Sequence, residues 1–304
     1  MLAALPDTTN IAVGLTPEAF ERTAPQADII LNFGAGANVF EQVWRMSPRV
    51  RWVHTLSAGL DGTLLPELAE SPVPLTNARG VFSDALGEFA IGAVLFFAKD
   101  FRRLVRSQMA GVWDPFIVVA IRGQSLGIVG YGDVGRAVAS RGHALGMKVL
   151  ALRRRPGLSR EDPYVAQMFG VDQKHEMLAQ SDYLVVTTPL TAESRGMIGG
   201  REFAVMKPSA VLINIGRGPV VDEAALIRAL DQKRIRGAAL DVFDVEPLPP
   251  GHLFYRLDNL LLSPHSADNT ADSKERSMRV FLENFGRFRR GAPLLNVVNK
   301  KLGY

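Results

Sequence analysis

A strand-like run, Ser125–Val129, leads directly into Gly130-Tyr131-Gly132-Asp133-Val134-Gly135, and helix-forming residues then continue to about Leu145. This spacing restricts the local fold more than any other feature of the chain. The first glycine permits a tight turn, the second lets the main chain approach a pyrophosphate, and the third lets the helix pack closely on the strand. A glycine pattern alone says little, but one that follows a strand and opens a helix predicts a dinucleotide-binding βαβ unit. The amides of Asp133 and Val134 would then meet phosphate at the helix N-terminus, where the helix dipole favours negative charge.

The next strand, Lys148–Leu152, bears on the choice of dinucleotide. A carboxylate at its end would bind the free ribose hydroxyls. This chain instead has Arg153, eighteen residues after Gly135, followed by Arg154 and Arg155. Guanidinium groups pair with a 2′-phosphate, so NADP(H) is expected, with NAD(H) the alternative.

Around this unit, short apolar runs alternate with helix-like segments, a pattern that predicts an α/β fold with parallel sheets. Before it, strands are expected at Asn10 to Gly14, Asp28 to Phe33, Val50 to Leu56 and Val73 to Asn77. A helix is expected from Pro17 to about Ala24, capped by Thr16. Asp84 to Met109 reads as one largely apolar helix bridging two domains. Beyond the glycine loop, strands are expected at Tyr183 to Thr187, Ala210 to Ile215, Gly237 to Leu240 and Leu260 to Leu262. Asp222 to Asp231 and Thr270 to Arg290 read as helices, with Leu294 to Val298 as an apolar tail. The expected division is a dinucleotide domain over residues 101–268, and a smaller substrate domain over 1–100 and 269–304.

With 304 residues, 47% of them hydrophobic, the chain can fill two ordinary cores. It has no cysteine, which excludes disulfides, thiolate metal ligands and a cysteine nucleophile. The net charge of +4 comes without any long basic block, so neither a nucleic-acid partner nor a membrane partner is expected. No apolar run reaches the ~18 residues of a membrane span. The N-terminus lacks the basic and long apolar regions of a secretory signal, so a cytoplasmic protein is expected.

Three motifs follow in the second half: Ile213-Asn214-Ile215-Gly216-Arg217-Gly218, then Asp241-Val242-Phe243-Asp244-Val245-Glu246-Pro247, then Ser263-Pro264-His265. Each comes directly after an apolar run, where open parallel sheets bind their ligands. Taken singly, Arg217, Glu246 and His265 would read as a surface cation, a loop acid and a structural imidazole. Together, in a nucleotide-binding chain, they can clamp a carboxylate and transfer a proton.

These segments, with Ser57-Ala58-Gly59-Leu60-Asp61, the Asn77 to Glu88 stretch and Pro189-Leu190-Thr191, are similar to the D-isomer-specific 2-hydroxyacid dehydrogenase family. That family includes glyoxylate/hydroxypyruvate reductases and phosphoglycerate dehydrogenases. The resemblance runs from about Ile11 to the C-terminus. It implies a Rossmann dinucleotide-binding domain with a smaller flavodoxin-like α/β substrate domain. Because the Ser57 loop arrives early, the smaller domain is expected to lack its first strand–helix unit. The implied activity is NAD(P)-dependent reduction of a short 2-keto acid such as glyoxylate or hydroxypyruvate. Arg217 would bind the substrate carboxylate and polarise its C2 carbonyl, and His265, hydrogen-bonded to Glu246, would be the acid/base. The amides of Ala58 and Gly59 would also hold the carboxylate. Asp241 would contact the nicotinamide carboxamide, with Thr188, Pro189, Ile215 and Arg217 also at the cofactor. No metal is expected, and family resemblance suggests a homodimer. Alternatives are a phosphoglycerate dehydrogenase-like activity, a formate or phosphite oxidoreductase, and a non-enzymatic dinucleotide-sensing protein resembling corepressors of the same superfamily. The chain departs from the family at Ser266 and Asp268, which stand where an apolar residue and a glycine are common. A carboxylate at 268 is expected to restrict anionic substrates.

Overall fold

The structure, a computed structural model, describes residues 2–159 and 161–304; Met1 and Arg160 lie outside the described residues. In chain order the first half comprises β1 (Ile29–Asn32), α1 (Ala37–Arg45), β2 (Trp52–Thr55), α2 (Pro66–Glu70), β3 (Leu75–Asn77), α3 (Ser83–Ala98), α4 (Phe101–Ala110), β4 (Ser125–Val129) and α5 (Asp133–Ala144). There follow β5 (Lys148–Leu152), β6 (Gln167–Phe169), α6 (Lys174–Gln180), β7 (Tyr183–Val186), α7 (Gly200–Val205), β8 (Val211–Asn214), α8 (Glu223–Asp231), β9 (Gly237–Leu240), β10 (Leu260–Leu262) and α9 (Ser273–Arg289). The chain divides into two compact units: residues up to Phe82 with Thr270–Tyr304, and Ser83–Asn269.

The smaller unit is built on a parallel sheet ordered β1-β2-β3. Side chains alternate between its faces, so each strand feeds two cores. Ile30, Val53 and Leu75 pack with Phe40 and Leu68 on one face. Trp52, Ile29 and Leu31 pack with Met278, Phe281 and Phe285 of α9 on the other, and the Trp52 and Phe281 rings stack with centroids 5.3 Å apart. The tail expected as merely apolar adds main-chain pairing to β3: Val297 bridges Thr76 antiparallel, and the Val298 amide donates to the Leu75 carbonyl at 2.8 Å. Asn284, fully buried on α9, fixes that tail by donating to the Leu295 carbonyl at 3.0 Å and accepting from the Leu295 amide at 2.7 Å.

The larger unit carries seven parallel strands ordered β10-β9-β8-β7-β4-β5-β6. The chain enters at β4, runs outward to β6, then returns to β7 beside β4 and proceeds outward to β10. The order therefore reverses between β4 and β7, the crevice where doubly wound sheets bind ligands. Again the faces alternate. Leu150, Leu152 and Leu212 join the core with Met177, Leu226 and Leu230, while Val149, Ala151, Val211 and Ile213 join the core with Ala90, Val94 and Val138.

Three expectations need correction. Asn10 to Gly14 forms no strand, because Ile11 and Val13 are exposed and no neighbouring strand offers hydrogen bonds. Nor is there an α-helix from Pro17; Pro17–Phe20 and Ala24–Gln26 are separate 3₁₀ turns, and Thr16 makes no side-chain cap. The single helix expected from Asp84 to Met109 is broken. Asp100 adopts a left-handed φ of 50° and its carboxylate accepts from the Arg103 amide at 3.3 Å, which starts α4 as a new helix. In addition, α3 groups with the larger unit, packing on α5, whereas the sequence reading ended the substrate domain near residue 100. Among the described residues no helix is long and apolar enough to cross a membrane.

His54 gives the smaller unit an acid sensitivity. Its ring is fully buried on β2, with Nδ1 2.7 Å from the Thr76 hydroxyl, which also accepts from Trp52 Nε1 at 2.8 Å. Nε2 has no partner among the described residues, and burial lowers the imidazole's pKa from 6.5 to about 4. Between those values the unfolded chain binds a proton that the folded chain refuses, so stability is full above pH 6.5 and falls as pH drops toward 4. At ~1.4 kcal/mol per unit of pKa separation, we expect a loss of roughly 3–4 kcal/mol across this window. Urea unfolding of the wild type and His54→Gln at a series of pH values checks this. The variant should lose that part of the pH slope, and an unchanged slope would clear His54 of the effect.

Candidate active site

The functional residues expected in the larger unit collect at the C-terminal ends of its parallel strands or in the loops that follow. The glycine loop leaves β4, Arg153 leaves β5, Thr188 and Pro189 follow β7, Arg217 follows β8, Asp241 follows β9, and His265 follows β10. Parallel pairing aligns these ends along one edge of the sheet, so residues distant in sequence share one rim.

Local packing explains the glycines. Gly130 sits at φ 97°, and a Cβ on Gly135 would stand 2.4 Å from the Gly130 carbonyl. A side chain at either place would break the strand–turn–helix junction. Around Gly132, by contrast, a Cβ would meet no atom of the described residues within 4 Å, and Gly132 as N-cap of α5 brings no side chain to its first turn. A glycine at this point, at the N-terminus of a helix, fits the close approach of a pyrophosphate. Arg153 donates to the Ser159 hydroxyl, and Arg154 pairs with Glu193 at 2.9 Å. Ile215 is different: its side chain is buried in the core, so only its main chain could serve a cofactor.

Arg217 is held by its own loop. Buried Asn214, whose role the sequence reading missed, donates to the Arg217 carbonyl at 3.0 Å and accepts from the Gly216 amide at 3.1 Å. A Cβ on Gly218 would lie 2.0 Å from the Phe243 main chain, so glycine there lets the Arg217 turn press against the loop after β9.

On that neighbouring loop, Glu246 Oε1 accepts from the Phe243 amide at 2.9 Å while Oε2 lies 2.6 Å from His265 Nδ1. Nδ1–H donates to the carboxylate, which leaves Nε2 to face a reacting group. His265 adopts a left-handed φ of 51°. Such a conformation in a non-glycine residue costs ~1–3 kcal/mol and persists when its surroundings enforce it. Asp241 supplies the enforcement. Its carboxylate is 1% exposed, and Oδ1 accepts from Ser263 Oγ at 2.5 Å, the Ser266 amide at 2.8 Å and the Ala267 amide at 3.1 Å. The structure therefore gives Asp241 a positioning role that the sequence reading, which aimed it at nicotinamide, did not foresee. Its signal was a carboxylate ending an apolar strand.

Asp268 closes the same segment and is half-buried. Burial raises its pKa, while the nearby charges of His265 and Arg217 act in the opposite direction. Ala58 and Gly59 lie in the smaller unit, in the loop after β2, where the Ala58 carbonyl accepts from Asn77 Nδ2 at 2.7 Å. Among the described residues no group of three or more His, Cys, Asp or Glu side chains could hold a metal ion.

Residues 91–267 match the family described as D-isomer specific 2-hydroxyacid dehydrogenase, NAD binding domain. A glyoxylate reductase from Korarchaeum cryptofilum is 34% identical over 86% of this chain and 80% of its own. The glyoxylate/hydroxypyruvate reductase B of Yersinia pestis is 32% identical over 97% of this chain and 92% of its own. This protein belongs to the D-isomer specific 2-hydroxyacid dehydrogenase family. A member from Xanthobacter autotrophicus, solved in complex with NADPH and MES, superposes with a TM-score of 0.81 at 32% identity, covering 92% of this chain and 86% of that one. Family membership makes the chain an NAD(P)-dependent oxidoreductase of the 2-hydroxyacid dehydrogenase type.

Proposed function

We propose that this enzyme reduces short 2-keto acids of the glyoxylate and hydroxypyruvate kind to their 2-hydroxy acids, with NADPH as the preferred reductant. The observation that carries this reading is the 2.6 Å pair of His265 Nδ1 and Glu246 Oε2, on a loop of the unit that also presents Arg217. The names of the reductases from Korarchaeum and Yersinia support the substrate class.

A nicotinamide dinucleotide held at the Gly130 loop would supply the hydride for C2 of the substrate. Arg217 binds the substrate carboxylate through its planar fork and polarises the C2 carbonyl, stabilising the negative charge that grows on oxygen. The Ala58 and Gly59 amides are proposed to hold the same carboxylate. His265 delivers a proton from Nε2 to that oxygen, completing the alcohol, and Glu246 keeps the ring oriented and stabilises its charged form. In the reverse direction Nε2 accepts the hydroxyl proton. Removing the imidazole should reduce kcat by ~10²–10⁴-fold, the usual weight of general acid–base catalysis. Steady-state turnover of glyoxylate by His265→Ala, paired with NADPH titration by fluorescence, checks both halves. Cofactor affinity should stay within a few-fold, and near wild-type turnover from pH 5 to 9 would remove His265 from the mechanism. Arg217→Lys should lower kcat/KM by at least tenfold, since a point-charge ammonium does not reproduce a bidentate grip.

NADP preference is supported by Arg153 at the end of β5, by Arg154 beside it and by the relative solved with NADPH. Each charge-assisted contact to a phosphate contributes ~1.5–3 kcal/mol, and ~1.4 kcal/mol is tenfold in affinity. Salt screening at an exposed loop should reduce this to tens-fold discrimination. Arg153→Asp should reverse the preference, read as kcat/KM for both cofactors at one ionic strength. Equal use of NADH and NADPH by the wild type would leave the three arginines as a solvated turn.

A homodimer is also proposed, with the exposed apolar stretch that begins on α4 as its surface. Residues of α3 are largely buried within their own unit, whereas Leu104, Val105 and Met109 on α4 and Val112, Trp113 and Ile117 beyond it are exposed. Trp113 is 95% and Ile117 99% exposed, an unusual cost for large apolar side chains. Two-fold self-association is the commonest way to cover such a stretch. Light scattering at micromolar concentration should give a dimer mass for the wild type and a monomer for Trp113→Glu/Ile117→Glu. A monomeric wild type would reject the dimer.

A further inference from the structure

We propose that Asp268 selects among 2-keto acids at this site: its carboxylate accepts a hydrogen bond from a hydroxyl or ammonium on substrate C3 and turns away substrates that carry a second carboxylate there. The inference rests on the 2-keto acid reductase reading and deepens it.

Placement is the first argument. The amides of Ser266 and Ala267, the two residues before Asp268, are both fixed on Asp241 Oδ1, at 2.8 and 3.1 Å. The Asn269 amide, on its other side, donates to the Ser266 carbonyl at 3.1 Å and closes a turn around it. Asp268 is therefore held by the same buried carboxylate that sets His265, and stands only three residues beyond it. It cannot drift relative to the imidazole without breaking that set of hydrogen bonds.

Chemistry is the second. Asp268 is half-buried, and the charges of His265 and Arg217 both act on it, so it belongs to their electrostatic neighbourhood. Its carboxylate receives a hydrogen bond from its own main chain, and among the described residues no side chain adds a second. A partly buried carboxylate with spare acceptor capacity gains from a further donor, which a substrate can supply. The substrate's C1 carboxylate belongs to Arg217 and its C2 oxygen to His265. The next atom along the substrate, C3, is what remains for a third polar group to read. An ionised carboxylate accepts hydrogen bonds and donates none. It therefore rewards a C3 hydroxyl or ammonium, is indifferent to a methyl and repels a carboxylate. Sites built around a substrate hydroxyl discriminate strongly against analogues that lack it.

The test compares kcat/KM for hydroxypyruvate, pyruvate and oxaloacetate with NADPH, each divided by the value for glyoxylate, which has no C3. In the wild type, hydroxypyruvate should exceed pyruvate by at least tenfold, and pyruvate should exceed oxaloacetate by at least tenfold. Asp268→Ala should bring the hydroxypyruvate-to-pyruvate ratio to within about threefold of unity. Asp268→Asn keeps the size and one acceptor oxygen while removing the charge. It should raise the oxaloacetate ratio at least tenfold and retain part of the hydroxypyruvate preference. Ratios that stay at wild-type values while all four rates fall together would make Asp268 a structural residue and overturn the inference, and so would ratios insensitive to both substitutions. A wild type that binds NADPH yet reduces none of the four acids would overturn the reductase reading and this inference with it. Selective loss with glyoxylate turnover intact distinguishes the two failures.

Discussion

The buried carboxylate of Asp241 ties three loop groups, Ser263 Oγ and the amides of Ser266 and Ala267, to the end of β9. Hydrogen bonds to a buried ionised acceptor are stronger than neutral ones, and losing any of them would leave polar groups unsatisfied inside the protein. That penalty holds the His265 backbone in its left-handed conformation. From there the ring meets Glu246, whose other oxygen is anchored on the Phe243 amide. A proton-transfer pair on loops thus inherits the rigidity of the sheet beneath it. Asp268, three residues beyond His265, inherits it as well.

Parallel topology does the rest of the assembly in the larger unit. Crossover connections carry the chain back to the opposite edge of the sheet before each next strand, so every strand delivers its following loop to one rim. The Gly130 turn, Arg153, Arg217 and His265 come from four different strands. Two kinds of packing keep the rim compact: glycines where main chains nearly touch, as at Gly135 and Gly218, and buried amides and acids that bind loops to strand ends, as at Asn214 and Asp241.

In the smaller unit the limiting constraint is coverage of a small sheet on both faces. Three strands suffice because the faces are filled separately, one by α1 and α2, the other by aromatic side chains of α9 that arrive from the far end of the chain. His54 is buried among those aromatics, and its neutral state is part of the cost of that packing.

Much of this was legible in the sequence. Strands β4, β5, β9 and β10 lie where their apolar runs place them, and helix α5 starts at Asp133 within the glycine pattern, because those signals are local and tertiary contacts reinforce them. That His265 and Glu246 would meet was implied only by family resemblance, because taken alone they read as a structural imidazole and a loop acid. Other features depended on contacts that no local pattern encodes. Ile11 and Val13 alternate as a strand would, yet among the described residues they have no partner strand, so they stay irregular. The break at Asp100 replaced one helix by two because a single carboxylate captured the Arg103 amide. The sequence determined which chemical groups the protein owns and the order in which its strands present them. Only the tertiary structure decided that Asp241 would orient the His265 loop and that Asn214 would fix the Arg217 loop. Those roles arise where separate segments meet and buried polar groups must find partners.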